Sequence, residues 1–138
     1  MMLIKKINLG LAIAALSLPI VALSNPLHVN NNTSKDSAVR VTSSILPLCS
    51  GDSGHFTPAH NQSDTKPSLV RALCGAQTGI CTADMYPAKD CTGEKVATLS
   101  INLDTLEVVS VIPIDPKYSV TAHGSTVDIN CSASDPNC

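Results

Sequence analysis

The feature that most constrains the fold of this chain is a set of six cysteines that follows an apolar leader. In the leader, Lys5 and Lys6 precede an apolar stretch at 7–18. Ala22-Leu23-Ser24 then places small residues where a signal peptidase reads the chain. We predict a signal peptide, residues 1–24, and a product that is exported to the periplasm or the extracellular space. Since no cysteine lies near the cleavage site, we expect no lipid or membrane anchor after cleavage.

An exported chain meets an oxidising compartment, where cysteines pair. Three disulfides are therefore expected among Cys49, Cys74, Cys81, Cys91, Cys131 and Cys138. Six cysteines allow about 15 connectivities, and the sequence does not choose among them. The preference for local loops favours Cys81–Cys91 and Cys131–Cys138, which leaves Cys49 with Cys74. The alternative is a zinc site, but structural zinc sites usually contain a C-x-x-C pair and this chain has none. We expect no metal and no cofactor.

Removal of the leader leaves 114 of the 138 residues, enough for one small domain. Because two of the nine basic residues leave with it, the net charge falls from −2 to −4, which argues against a nucleic-acid partner. Only Phe56, Tyr86 and Tyr118 are aromatic. Three rings are too few for a platform that stacks bases or sugars.

The exported part divides into three regions by composition. Residues 25–37 are polar and rich in Asn, and we predict a flexible arm. Residues 38–138 are predicted to form a single β domain. Within this domain, residues 49–67 form a long loop rich in Gly, Ser, Asp, Asn and Pro.

Short β-branched or alternating segments separated by turn signals fill the remainder of the domain. This spacing predicts an all-β fold, a small antiparallel β-sandwich or partial barrel of about six or seven short strands stapled by disulfides. The segment at 68–73 fits either a helical turn or a strand. The clearer strands are expected at 38–46, 80–86, 95–103, 106–114, 118–122 and 125–131.

The run Cys49-Ser50-Gly51-Asp52-Ser53-Gly54 resembles the sequence around the nucleophile of trypsin-like serine proteases. That resemblance implies Ser53 as the nucleophile, with the amides of Gly51 and Ser53 as the oxyanion hole. The family has a second Gly where this chain has His55. The catalytic His of the family lies upstream of the Ser, and the only histidine upstream of Ser53 is His28. Two six-stranded barrels also do not fit into 114 residues. We therefore expect no protease of this family.

Two further hypotheses remain open at this point. In the first, Ser53 and His55 form the site of an unrelated small secreted hydrolase, although nothing in their spacing requires contact. In the second, the chain is a secreted enzyme inhibitor that presents the turn Pro87–Asp90 between cysteines.

Several short motifs also occur together in the second half of the chain. They are Cys81-Thr82-Ala83-Asp84-Met85-Tyr86, then Cys91-Thr92-Gly93, then Val96-Ala97-Thr98. This layout is similar to small, exported, disulfide-linked β-rich proteins of Gram-negative bacteria, over about residues 81–131. The resemblance implies export and supplies no catalytic residues.

Taken together, these observations favour a non-catalytic binding module that interacts with a protein of a host or a competitor. Export and disulfide pairing are indicated, whereas no catalytic set is. Loops on a rigid scaffold commonly carry such contacts. The candidate contact residues lie in the long loop: Ser53, His55, Phe56 and His60.

Overall fold

The computed structural model describes residues 25–45, 47–75 and 78–138, so the predicted signal peptide at 1–24 lies outside the described residues. The described part contains eight strands, a 3-10 turn at Ser50–Ser53 and one helix, α1, at Pro67–Leu73. The strands are β1 Leu27–Asn31, β2 Ala38–Val41, β3 Asn61–Thr65, β4 Ile80–Tyr86, β5 Ala97–Asn102, β6 Val108–Pro113, β7 Tyr118–His123 and β8 Thr126–Cys131.

The strands form two four-stranded sheets that pack face to face. Sheet I has the order β3-β1-β8-β7 and sheet II the order β2-β4-β5-β6. Sheet II is antiparallel throughout, whereas β1 and β8 of sheet I run parallel. Met85 and Leu99 from sheet II meet Val127 and Ile129 from sheet I in one buried cluster. The prediction of an all-β, sandwich-like fold is thus confirmed.

The central pair of sheet II follows the alternation of its sequence. Ala97, Leu99 and Ile101 of β5 are buried, and the residues between them are partly exposed. Strand β4 covers the predicted segment 80–86 without change. The alternation of apolar and polar residues therefore predicted the positions of β4 and β5 correctly.

The prediction of a flexible arm at 25–37 is wrong, because β1 lies inside sheet I between β3 and β8. Leu27 and Val29 pack against the core. Asn31 is only 1% exposed, and its amide donates to the carbonyls of Lys35, Thr57 and Pro58. Hydrogen bonds from buried amides thus order a segment whose composition looked solvated.

The long loop predicted at 49–67 is also more ordered than expected. It begins with the 3-10 turn and ends with β3, whose residues pair antiparallel with β1 along its whole length. Thr57 forms a further bridge to Ser37. Strand β3 is an edge strand of polar residues, and such a composition is hard to distinguish from that of a loop.

Helix α1 resolves the ambiguous segment at 68–73. Pro67 lies at its first turn, where a missing N–H costs nothing, and Val70 is buried against sheet II. In the described residues no helix has the length and apolar character needed to cross a membrane.

All six cysteines are paired, as Cys49–Cys91, Cys74–Cys81 and Cys131–Cys138. The expected pairs Cys81–Cys91 and Cys49–Cys74 are wrong, and Cys131–Cys138 agrees with the prediction. Cys81 lies at the start of β4 and Cys91 lies beyond its end, so about 17 Å of extended strand separates them. Cys81 instead meets Cys74 at the end of α1, with 6.1 Å between their Cα atoms.

Candidate functional site

An apolar cavity of about 120 Å³ lies between the two sheets. Sheets I and II both contribute to its wall, and α1 contributes Val70 and Leu73. The exposed residues His55 and Asp64 lie at its rim. The aliphatic side chains from the sheets include Val29, Val39, Val41, Met85, Leu99 and Val127.

The lining side chains are mostly aliphatic. The strands that surround the space supply Val and Ala together with Leu, Ile and Met, and the one aromatic ring among the described lining residues is that of Phe56. Phe56 is held to the side, where it packs against Ala38, Cys49 and Cys91. Interiors are normally filled to the density of organic crystals, so a cavity of this size is an exceptional feature.

The rim at the 3-10 turn is fixed by covalent and hydrogen-bond anchors. Cys49, just before the turn, is bonded to Cys91. The buried Ser50 hydroxyl accepts a hydrogen bond from the Val39 N–H at 3.0 Å. Farther along, the hydroxyls of Thr57 and Ser63 are 2.6 Å apart. The rim therefore has a defined shape.

The protease-like run at 49–54 serves the geometry of this turn. The Ser53 hydroxyl donates to the Ser50 carbonyl at 3.1 Å, within its own turn. A Cβ on Gly51 would lie 1.4 Å from the Lys89 carbonyl oxygen. Gly54 closes the turn with φ +82°, a backbone conformation that residues with a side chain rarely adopt. Each of these residues thus has a structural reason to be present.

The four predicted contact residues fall into two groups. His55 and Phe56 line the cavity. Ser53 and His60 are exposed and are not among the described residues of its lining. His60 has a positive φ of 53°, and its N–H donates to the Thr33 carbonyl. The structure therefore brings together two of the four.

A polar network that the sequence analysis missed crosses the outer face of sheet I. His28 on β1 contacts Asp64 of β3 through Nδ1 at 2.5 Å and Asn30 through Nε2 at 2.8 Å. Asn30 in turn donates to Asp128 of β8 at 2.7 Å. Beyond it, His123 of β7 lies 3.9 Å from Asp128.

This geometry favours the protonated form of His28. Asn30 donates its NH₂ to Asp128 and presents its oxygen to His28. Both ring nitrogens of His28 then face oxygen acceptors, an arrangement that suits an imidazolium with two N–H donors. The hydrogen bond to Asp64 is the main cause that raises the pKa of His28 above its usual 6.5, against an opposing effect of burial.

The alternation Leu27-His28-Val29-Asn30, apolar inward and polar outward, is the one signal that the sequence offered for this network. The Asn-rich composition of 25–37, which is typical of a flexible arm, masks this alternation. Within residues 25–45, 47–75 and 78–138, no three His, Cys, Asp or Glu side chains form a group suited to a metal ion.

A model of the protein family described as T2SS substrate NttC matches residues 1–134. The chain belongs to this family. A solved structure, the crystal structure of the Legionella pneumophila type II secretion system substrate NttC, is similar to the chain with a TM-score of 0.65 and 20% sequence identity. The alignment covers 78% of this chain and 98% of that one. At this identity the likeness to the Legionella NttC shows a shared fold alone.

Membership of the NttC family agrees with the prediction of an exported, disulfide-bonded bacterial protein. It replaces the broad resemblance drawn from residues 81–131 with a specific family. The search among curated proteins gave no match.

Proposed function

We propose that this member of the NttC family is an exported, non-catalytic binding module that contacts a partner protein with the exposed side of its 3-10 turn. One observation carries the non-catalytic part of the proposal: the Ser53 hydroxyl donates a hydrogen bond to the carbonyl of Ser50 in its own turn. In the described part of the chain, no hydrogen bond joins Ser53 to a histidine ring. A serine nucleophile needs such a base.

The 3-10 turn exposes side chains on an anchored backbone. Asp52, Ser53 and His55 are exposed, while the backbone beneath them is held by Cys49–Cys91 and by the bond from Val39 to Ser50. A rigid contact segment loses little conformational freedom when it binds, which favours affinity. Such anchoring supports a role in recognition.

The inhibitor hypothesis depended on a loop pinned between Cys81 and Cys91. Since Cys91 is bonded to Cys49, the turn Pro87–Asp90 lies against the 3-10 turn instead, with the Lys89 carbonyl beside Gly51. This arrangement supports a structural role for the turn Pro87–Asp90. No observation favours enzyme inhibition over general binding.

The proposal is tested with the purified protein, residues 25–138, and its Ser53→Arg variant. Ser53 is suited to this purpose because it is exposed and not among the described lining of the cavity. We expect Arg at this position to abolish cross-linking to the partner protein from host or competitor cells, with a Tm within about 3 °C of the parent.

Ser119→Arg, at an exposed position of β7, is the matched control and should leave cross-linking intact. Equal loss in both variants would contradict a contact at the turn. Hydrolysis of any member of an ester and peptide panel that disappears in Ser53→Ala would contradict the non-catalytic assignment.

A further inference from the structure

The cavity between the sheets has the properties of a ligand site that differs from the protein contact proposed above, although His55 lies at the edge of both. Its volume of about 120 Å³ is close to that of an apolar cavity of about 150 Å³ known to bind benzene. A group of about six carbon atoms therefore fits inside.

The chemistry of the wall selects an apolar occupant. Water needs two to four polar partners to occupy a cavity stably, and the deep wall consists of aliphatic side chains such as Val41, Met85 and Leu99. Transfer of a hydrocarbon group from water into this space is favourable, because it removes apolar surface from water and fills a void.

The rim adds a constraint on the polar end of the ligand. Its polar residues include the hydroxyl-bearing Ser63 and Thr65, together with His55. Of the described residues that line the cavity, none is Lys or Arg. A carboxylate on the ligand would therefore lose its hydration without gaining a Lys or Arg partner, so an uncharged polar end is favoured.

From these observations we propose that the cavity binds a small molecule with an apolar group of about six carbons and an uncharged polar end at the rim. The ligand enters beside β3 and the 3-10 turn, where His55 and Asp64 are exposed. This activity goes beyond the proposed protein contact, since it occupies the interior of the sandwich.

The test is a titration of the exported chain with 1-hexanol, followed through the methyl NMR signals of Val29, Val41 and Met85. We expect saturable shifts at these methyl groups, with half-saturation at about 1 mM, the range that six or seven non-hydrogen atoms reach. Benzene should compete with 1-hexanol. Hexanoate at pH 7.5 should bind at least tenfold more weakly.

Two buried alanines on neighbouring strands offer a matched pair of variants. Ala83 of β4 lines the cavity, whereas Ala97 of β5 is completely buried and not among the described lining. Ala83→Leu should fill the space, abolish the 1-hexanol shifts and keep the Tm within about 3 °C of the parent. Ala97→Leu lacks such room and should lower the Tm by about 5 °C or more.

The proposal is overturned if the methyl signals show no saturable shift, or if shifts appear only at the exposed Val109 and Ile112 of β6. Equal loss of Tm in the two variants, with 1-hexanol binding retained in Ala83→Leu, would overturn it as well. Should neither variant fold, the parent decides alone: competition between benzene and 1-hexanol supports one shared cavity, and independent binding of the two contradicts it.

Discussion

At the residue scale, contacts that composition does not reveal determine the local structure of the site. Gly51 is required because the Lys89 carbonyl approaches its backbone closely, and not because its φ is positive. His28 looks like a solvated histidine in the sequence, yet it is held on both ring nitrogens. In both cases the decisive neighbour is more than 30 residues away in the chain.

Gly51→Ala should lower the free energy of unfolding by about 3 kcal/mol, because the new methyl group forces the 3-10 turn away from Lys89. Gly79→Ala is the control. Its φ is +83° with nothing within 4 Å, so it bears only the cost of the left-handed backbone, about 1 kcal/mol. Urea unfolding of both variants measures the difference, and a Gly51→Ala cost no larger than that of Gly79→Ala would refute the steric explanation.

His28 should make the stability depend on pH. Its pKa is higher in the folded state than the usual 6.5, mainly because of Asp64. Its contribution is therefore complete below about pH 6.5 and is lost as the pH rises through the folded-state pKa. We expect His28→Gln to be less stable than the parent at pH 5.5, with a smaller difference at pH 8.5. Urea midpoints at both pH values check this, and a difference independent of pH would show that His28 carries no proton-linked stability.

At the element scale, the chain contains strands with clear sequence patterns and strands without them. Strand β5 follows strict alternation, with Ala97, Leu99 and Ile101 buried. Strand β4 buries Cys81, Ala83 and Met85 at alternate positions, and it buries Asp84 as well. Strands β1 and β3 contain seven Asn, Gln, Ser, Asp or Thr residues out of ten. These two strands form because they pair with strands distant in the chain and because side-chain amides hold them. Patterns within a short stretch of sequence do not reveal such contacts.

Asn31 tests how β1 is held. Its amide joins β1 to the carbonyls at Lys35, Thr57 and Pro58. Asn31→Ala removes these bonds and also deprives the buried Thr33 N–H of the Asn31 side-chain oxygen that accepts from it. We expect a loss of about 1–3 kcal/mol in the free energy of unfolding. Asn32→Ala removes only an exposed bond to Asn130 and should cost less than about 0.5 kcal/mol. Chemical denaturation of the two variants would show equal costs if the buried network were unimportant.

At the scale of the whole molecule, the cavity could not be predicted from the sequence. Its wall combines β1, β2, β3, β4, β5 and β8, and only the strand order of the two sheets brings them together. His55 and Phe56 were predicted as contact residues of a loop, and nothing in the sequence around them indicates that they line a cavity. The disulfide pairs were partly misassigned for the same reason, because the length of β4 separates Cys81 from Cys91.

The disulfides should contribute unequally to stability. Cys49–Cys91 spans 42 residues, whereas Cys131–Cys138 spans 7. By loop-closure entropy, the first stabilises the fold by about 4 kcal/mol and the second by about 2 kcal/mol. Replacement of each pair by alanines, followed by guanidinium unfolding, measures the two losses. A larger loss for the Cys131–Cys138 pair would contradict this ranking.

The parallel pairing of β1 with β8 joins the two ends of the described chain in the middle of sheet I. Residues about 98 positions apart must meet before β1 has its second neighbour, and contacts of such long range slow folding. A chain that emerges with its N-terminus first therefore cannot complete this sheet strand by strand. Sheet I is complete only when β8 pairs with β1. The exported molecule therefore reaches its native structure late, after almost all of the chain has crossed the membrane.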